Sequence, residues 1–311
     1  MIGDAVNAIS RRAILAAGES ETLRGLVRRH GMRFGASRFV AGETFETAAG
    51  ALRQLNDKGL LTNTTILGEG VREPAETRAV VRDYKDVLEG IDRERLRTNL
   101  AVKLTHLGLA FDEELAYENV AALAAHAHGL GNFVRMDMEE SRYVDPTLAV
   151  YRRLREAGAD NVGIVLQAYL HRTERDLEEL LSLKPNIRVC KGAYLEPPEI
   201  AYPEKRDVDA AYIRLLEHAL REAGFVGIAT HDERMIEHAI AFAERERIPA
   251  ERFQFQMLYG VRPQLQLSLV RRGYAMLVAT PFGPDWYRYL MRRLAERPAN
   301  VGFLLRNLVR G

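Results

Sequence analysis

The chain alternates between two hydrophobic rhythms. Short runs rich in β-branched and apolar residues are each followed by a longer stretch whose apolar positions recur every three to four residues. The short runs predict strands at 62–69 (TNTTILGE), 98–104 (TNLAVKL), 132–138 (NFVRMDM) and 162–168 (VGIVLQA). Four more are predicted at 187–192 (IRVCKG), 226–231 (VGIATH), 253–257 (FQFQM) and 274–280 (YAMLVAT). The stretches between them carry helix signals. PTLAVYRRLREAG has a proline near its start and a glycine just past its end, and DVDAAYIRLLEHALREAG repeats Ile213, Leu216 and Leu220 at helical spacing. A ninth apolar run, RFVAGET at 38–44, has helical or glycine-rich neighbours and is placed in an N-terminal extension.

Eight strands separated by seven helices, with an eighth helix after the last strand, predict an α/β fold of the (β/α)8 barrel type. An open doubly wound sheet is the rival, but it rarely needs eight consecutive units. The expected division is an N-terminal helical extension over 1–60 and a barrel over 61–311.

Composition narrows the function. Forty-four basic and 43 acidic residues leave a net charge of +1, which argues against a nucleic-acid binder with its clustered basic excess. The single cysteine, Cys190, rules out an intramolecular disulfide and a cysteine-built zinc site. No run approaches the roughly 18 apolar residues of a membrane span. The opening MIGDAVNAISRRAILAAG carries an acid and two arginines and does not read as a signal peptide. The expected location is cytoplasmic, with peripheral contact at the inner face of the cytoplasmic membrane left open. No P-loop and no G-x-G-x-x-G is present.

In such a barrel the strands are expected to be apolar filler and the chemistry to sit at their C-terminal ends. Those ends supply Glu69, Lys103, Asp137, Gln167, Lys191, Thr230 with His231, and Gln256. Taken singly each is an ordinary polar residue leaving a core; together they predict a pocket. Two chemistries suit them. Lys191 at a strand end could act as a Schiff-base nucleophile, the aldolase or lyase reading. His231, Asp232, His106 and Asp137 could hold a metal, although they are scattered and no dense ligand motif joins them. His126 and His128 fall at the end of a helical stretch and read as structural. Cys190 faces away from Lys191 and reads as inert core. Finally, Arg-Arg occurs five times, and the pair Arg292–Arg293 in DWYRYLMRRLAERPAN shares a helical arc of about 100° with Tyr289 and Glu296.

RVCKGAYLEPPEIAYPEKRDVDAAY, FVRMDMEESRYVDPTL, VGIVLQAYLHRTERDL and FQFQMLYGVRP, followed by DWYRYLMRRLAERPAN, resemble the monofunctional bacterial proline dehydrogenases. The resemblance runs in order from about Arg38 to the C-terminus. It implies a (β/α)8 barrel that binds FAD non-covalently, oxidises L-proline to 1-pyrroline-5-carboxylate and passes electrons to a membrane quinone. It places Lys103 at the substrate with Asp137 as its partner. Gln167, Met138, Lys191, Gly192, Ala193, Thr230 and His231 would contact the cofactor, with Arg188 near the flavin's reactive nitrogen. Arg292 and Arg293 would clamp the substrate carboxylate, Tyr289 would pack over the ring, and Glu69 would form an ion-pair gate with Arg292. One departure stands out: the family carries a tyrosine in the pocket wall where this chain has Ala279, which removes a ring and a hydroxyl.

Overall fold

A computed structural model describes residues 36–68, 71–287 and 289–291. Eight parallel strands close into one barrel in sequence order, and the last pairs back to the first. They are β1 (Leu61–Thr64), β2 (Thr98–Lys103), β3 (Val134–Asp137), β4 (Val162–Gln167), β5 (Asn186–Cys190), β6 (Phe225–Ala229), β7 (Phe253–Leu258) and β8 (Met276–Ala279). Helix α1 (Phe45–Asp57) precedes the barrel. The crossovers are α2 (Thr77–Arg93), α3 (Glu113–Gly129), α4 (Val144–Glu156), α5 (Thr173–Glu178), α6 (Lys205–Glu222), α7 (Glu233–Arg245) and α8 (Pro263–Arg271). Residues 286–287 and 289–291 open a further helical stretch after β8.

All eight expected strands are present. The first is shifted: it ends at Thr64 rather than running to 69, and Glu69 lies outside the described residues. RFVAGET forms no strand. Phe39 and Val40 are buried, but in a separate cluster with Leu67, Trp286, Tyr287 and Leu290. The segment touches the chain beyond β8 through two backbone bonds, Ala41 N–H to the Pro281 carbonyl at 2.9 Å and Gly283 N–H to the Gly42 carbonyl at 3.0 Å. The Trp286 indole N–H donates to Glu43 at 2.8 Å, so this cluster seats the start of the last helix.

Alternation along the strands sends one set of side chains outward under the helices. Leu100, Val102, Val134, Met136, Ile164, Ile187, Val189, Ile228, Phe255 and Val278 belong to that set, and all are fully or nearly fully buried. They meet the apolar faces of the helices, such as Leu215, Leu216 and Ala219 of α6. Ala48, Ala49 and Leu52 of α1 join the same core.

The inward set departs from the expected apolar filler. Asn63, Asn99, Arg135, Asp137, Arg188, Gln254 and Gln256 share the inward parity of their strands. The set includes two arginines, Arg135 buried and Arg188 nearly so. An arginine inside a barrel is tolerated only if its N–H groups find acceptors, and polar residues on other strands supply them.

Candidate active site

Arg188 leaves β5 and crosses the barrel. Its Nε donates to Gln256 Oε1 on β7, one terminal nitrogen donates to Asp137 Oδ1 on β3 at 2.8 Å, and the other donates to Asn63 Oδ1 on β1 at 3.3 Å. In a ring of eight strands β1 lies opposite β5, while β3 and β7 lie two strands to either side. A side chain that reaches all three has its guanidinium near the barrel axis. Each nitrogen of the fork is therefore used by a different wall, which fixes the plane of the group as well as its position.

A second buried arginine sits below. Arg135 donates to the carbonyls of Ile164 at 3.1 Å and Asn186 at 2.8 Å, and to the Asn186 side chain. Burial, and then the neighbouring charge of Arg188, pushes its guanidinium down to about 9.

At the C-terminal mouth, Lys103 stands in register with Asp137. Asp137 also forms an ion pair with Arg188. The charge of Lys103 also bears on Glu139, whose carboxyl is raised above the usual range by burial although Lys103 and Thr105 oppose the shift. Glu139 accepts from the Thr105 backbone N–H at 3.0 Å and its hydroxyl at 2.6 Å. Gln167, buried at the end of β4, donates to the Glu139 carbonyl at 2.9 Å. Met138, also buried, packs in the main core beside them.

The chain after β5 turns sharply. Gly192 has φ +112°, and a Cβ there would lie 2.1 Å from the ring of Tyr169, so the backbone and an aromatic face are in direct contact. Ala193 follows, exposed on the rim. Lys191 goes the other way: it forms ion pairs with Asp209 on α6 and with Asp232 at 3.8 Å, and stands 5.9 Å from the Tyr212 ring. Its amine is paired at the rim with two carboxylates, and the lyase reading finds no support there. Cys190, on the inward parity, has its thiol pushed up to about 12 by burial and is inert.

At β6, Thr230 Oγ1 accepts from the Asp232 N–H at 3.1 Å. His231 Nε2 accepts from the Leu258 N–H at 3.0 Å, and Arg262 donates to the His231 carbonyl at 2.7 Å. These bonds fix the ring against β7. Ala279 ends β8 and accepts from the Tyr259 N–H at 2.9 Å. Tyr289 is half-buried beside the Trp286 cluster. Arg292 and Arg293 lie outside the described residues. No three His, Cys, Asp or Glu side chains converge among the described residues.

The sequence model of the proline dehydrogenase family matches residues 48–306. The chain belongs to the proline dehydrogenase family. It is 38% identical over 300 residues to proline dehydrogenase 1 of Bacillus subtilis subsp. natto, covering 96% of this chain and 99% of that one. It is likewise 38% identical over 310 residues to proline dehydrogenase of Deinococcus radiodurans, covering 98% and 100%. Among solved structures, proline utilization A from Bdellovibrio bacteriovorus, inactivated by N-propargylglycine, shares the fold with a TM-score of 0.80. That match has 24% identity and covers 88% of this chain and 34% of the other.

Two residues of the site were not singled out from the sequence: Asn63 lay inside a predicted strand, and Glu139 was one of an acidic pair. Gln256 was named among the polar strand ends without a role of its own; in FQFQM the glutamines and the apolar residues occupy alternate positions, so one face of that strand is polar.

Proposed function

We propose that the protein oxidises L-proline to 1-pyrroline-5-carboxylate with FAD as its cofactor. The observation that carries the reading, within a family of proline dehydrogenases, is the guanidinium of Arg188 held near the barrel axis beneath a polar mouth.

The residues fit a flat cofactor whose ring edge carries hydrogen-bond acceptors. Asn63 Nδ2 and Gln256 Nε2, on the side chains that hold Arg188, are buried donors with no hydrogen-bond partner. Gly192 exposes its backbone beside the Tyr169 ring, where a side chain would obstruct. Met138, Gln167, Arg188, Lys191, Gly192, Ala193, Thr230 and His231 are the proposed cofactor contacts. When bound, the flavin supplies a hydride acceptor.

The remaining work is positional. The substrate nitrogen must give up a proton so that its lone pair can form the C=N bond as hydride leaves the adjacent ring carbon. Lys103 and Asp137 stand side by side where the amino end would lie. Arg292 and Arg293 clamp the carboxylate, since a guanidinium fork matches that group in geometry and charge. Tyr289 packs over the ring, and Glu69 gates the site by pairing with Arg292. Arg188 provides a fixed positive charge against the negative charge of a reduced flavin. Electrons then leave to a membrane quinone, with the protein in peripheral contact at the inner membrane face. That last step rests on the family resemblance; among the described residues no helix is long and apolar enough to cross a membrane.

The test is a visible spectrum. The purified protein is expected to be yellow and to bleach when L-proline is added; a colourless protein, or one that proline leaves oxidised, overturns the reading. Arg292→Met and Arg293→Met should each raise KM for proline about tenfold or more, a loss of about 1.4 kcal/mol per decade, while flavin stays bound. An unchanged KM in both removes the clamp.

A further inference from the structure

The fork of Arg188 ends on three different side chains, and they are not equivalent. Asp137 is paired at the mouth, with 28% of its side chain exposed, and is already a proposed substrate-side residue. Asn63 makes the longest of the three bonds, at 3.3 Å. Gln256 is 4% exposed and takes the Nε proton, the one closest to the stem of the arginine, so it sets the angle at which the guanidinium leaves β5. Because a guanidinium has only donors, the amide must present its oxygen to Arg188. The amide nitrogen then has to go elsewhere, and it is buried without a partner.

What holds that amide in place is Gly227. This residue is in register with Arg188 on β6, and the register of β6 with β7 puts its neighbour Ala229 opposite Gln256. A Cβ at Gly227 would lie 2.3 Å from Gln256 Nε2 and 2.8 Å from its Cδ. The carboxamide therefore occupies the space a side chain on β6 would fill. Gly227 has no left-handed φ, unlike Gly192, so its backbone does not call for glycine. The room for Gln256 is the structural use of the missing side chain.

We infer that Gln256, seated in the gap left by Gly227, is a positioning residue that aims Arg188 at the bound flavin and so tunes its reduction. The inference rests on the flavin reading above and deepens it. A hydrogen-bond acceptor on Nε leaves the positive charge of the fork whole while preventing rotation about its stem. A carboxylate in the same place would hold the fork equally well but cancel its charge. A hydrophobic residue would leave the charge and free the rotation.

Three variants separate these effects: Gln256→Leu, Gly227→Ala and Gln256→Glu. Each is compared with the unmodified holoenzyme by dye-equilibrated redox titration of the bound flavin, by kcat and KM for L-proline, and by thermal midpoint. Gln256→Leu is expected to lower kcat about tenfold or more and make the flavin harder to reduce, with KM held within about twofold. Gly227→Ala should act in the same direction, because its methyl displaces the same amide. Gln256→Glu should depress the potential furthest while keeping the thermal midpoint of the parent. Flavin potentials equal to the parent in both Gln256→Leu and Gly227→Ala overturn the inference, as does a fall in thermal midpoint with no change in potential. If the unmodified protein does not bleach with proline, the functional reading fails and this inference with it. If it bleaches and the variants keep its potential, only the inference fails.

Discussion

The same eight strands present two faces with opposite chemistry. Outward, under the helices, they carry side chains such as Val102, Ile164, Val189 and Phe255, apolar and closed to water. Inward, they carry Asn63, Asp137, Arg188 and Gln256, linked through one guanidinium. The outer face can be apolar because burial of hydrocarbon against helices is non-directional and stabilises roughly in proportion to area. The inner face is polar because its cation can be buried only with its acceptors in place. Stability and chemistry are thereby assigned to alternate residues of each strand, and a one-residue register slip would exchange them.

That division can be broken from either side. Phe255→Ala on the outer face should destabilise by about 3–5 kcal/mol, read from the shift of a chemical denaturation midpoint. KM for proline of the folded fraction should be unaltered. A stability loss under about 1 kcal/mol would mean that the outer face is not the main support of the fold. Arg188→Met on the inner face should cost about a hundred- to a thousandfold in turnover, equivalent to about 2.7–4 kcal/mol of transition-state stabilisation. Steady-state assay with L-proline measures it, and turnover within about threefold of the parent would contradict the role given to this charge.

The smallest effect concerns the margin between the two faces. Asp232 caps α7 through the Arg234 N–H at 3.1 Å, and hydrogen bonding from Arg234 lowers its carboxyl to about 2. A depressed carboxyl contributes stability that is present above its unfolded value, near pH 4, and is lost as pH falls through about 2. Asp232→Asn keeps a capping oxygen but no titration. Its denaturation midpoint should therefore fall less steeply than that of the parent between pH 4 and 2; parallel profiles would exclude this contribution.

Much of the fold was legible because alternation and β-branched runs are local signals. All eight strands were located, and β4, whose first five residues VGIVL are apolar, is buried along its whole length. RFVAGET is instructive in the other direction. Phe39 and Val40 are buried as a strand's residues would be, but they are satisfied by packing on Trp286, a contact between distant parts of the chain that no local pattern carries. The site was less legible. Lys103, Asp137 and Arg188 can be found at or near strand ends, but the ion pair of Asp137 with Arg188 could not be deduced, because Arg188 reaches it from two strands away. Gln256 and Asn63 matter through what they hold, which a sequence shows only as polar residues in a strand.

Gly227 and Gln256 together also bear on the order in which the molecule is made. Arg188 is 125 residues beyond Asn63 and 68 residues before Gln256. A chain growing from its N-terminus thus synthesises the cation long before the β7 acceptor exists, and carries it through synthesis with part of its fork still hydrated. Only when the seventh strand has been delivered can that arginine be dried and locked. The oxidising centre cannot be assembled in a fragment that stops short of β7, so a truncated product would be incapable of the reaction rather than merely weak at it.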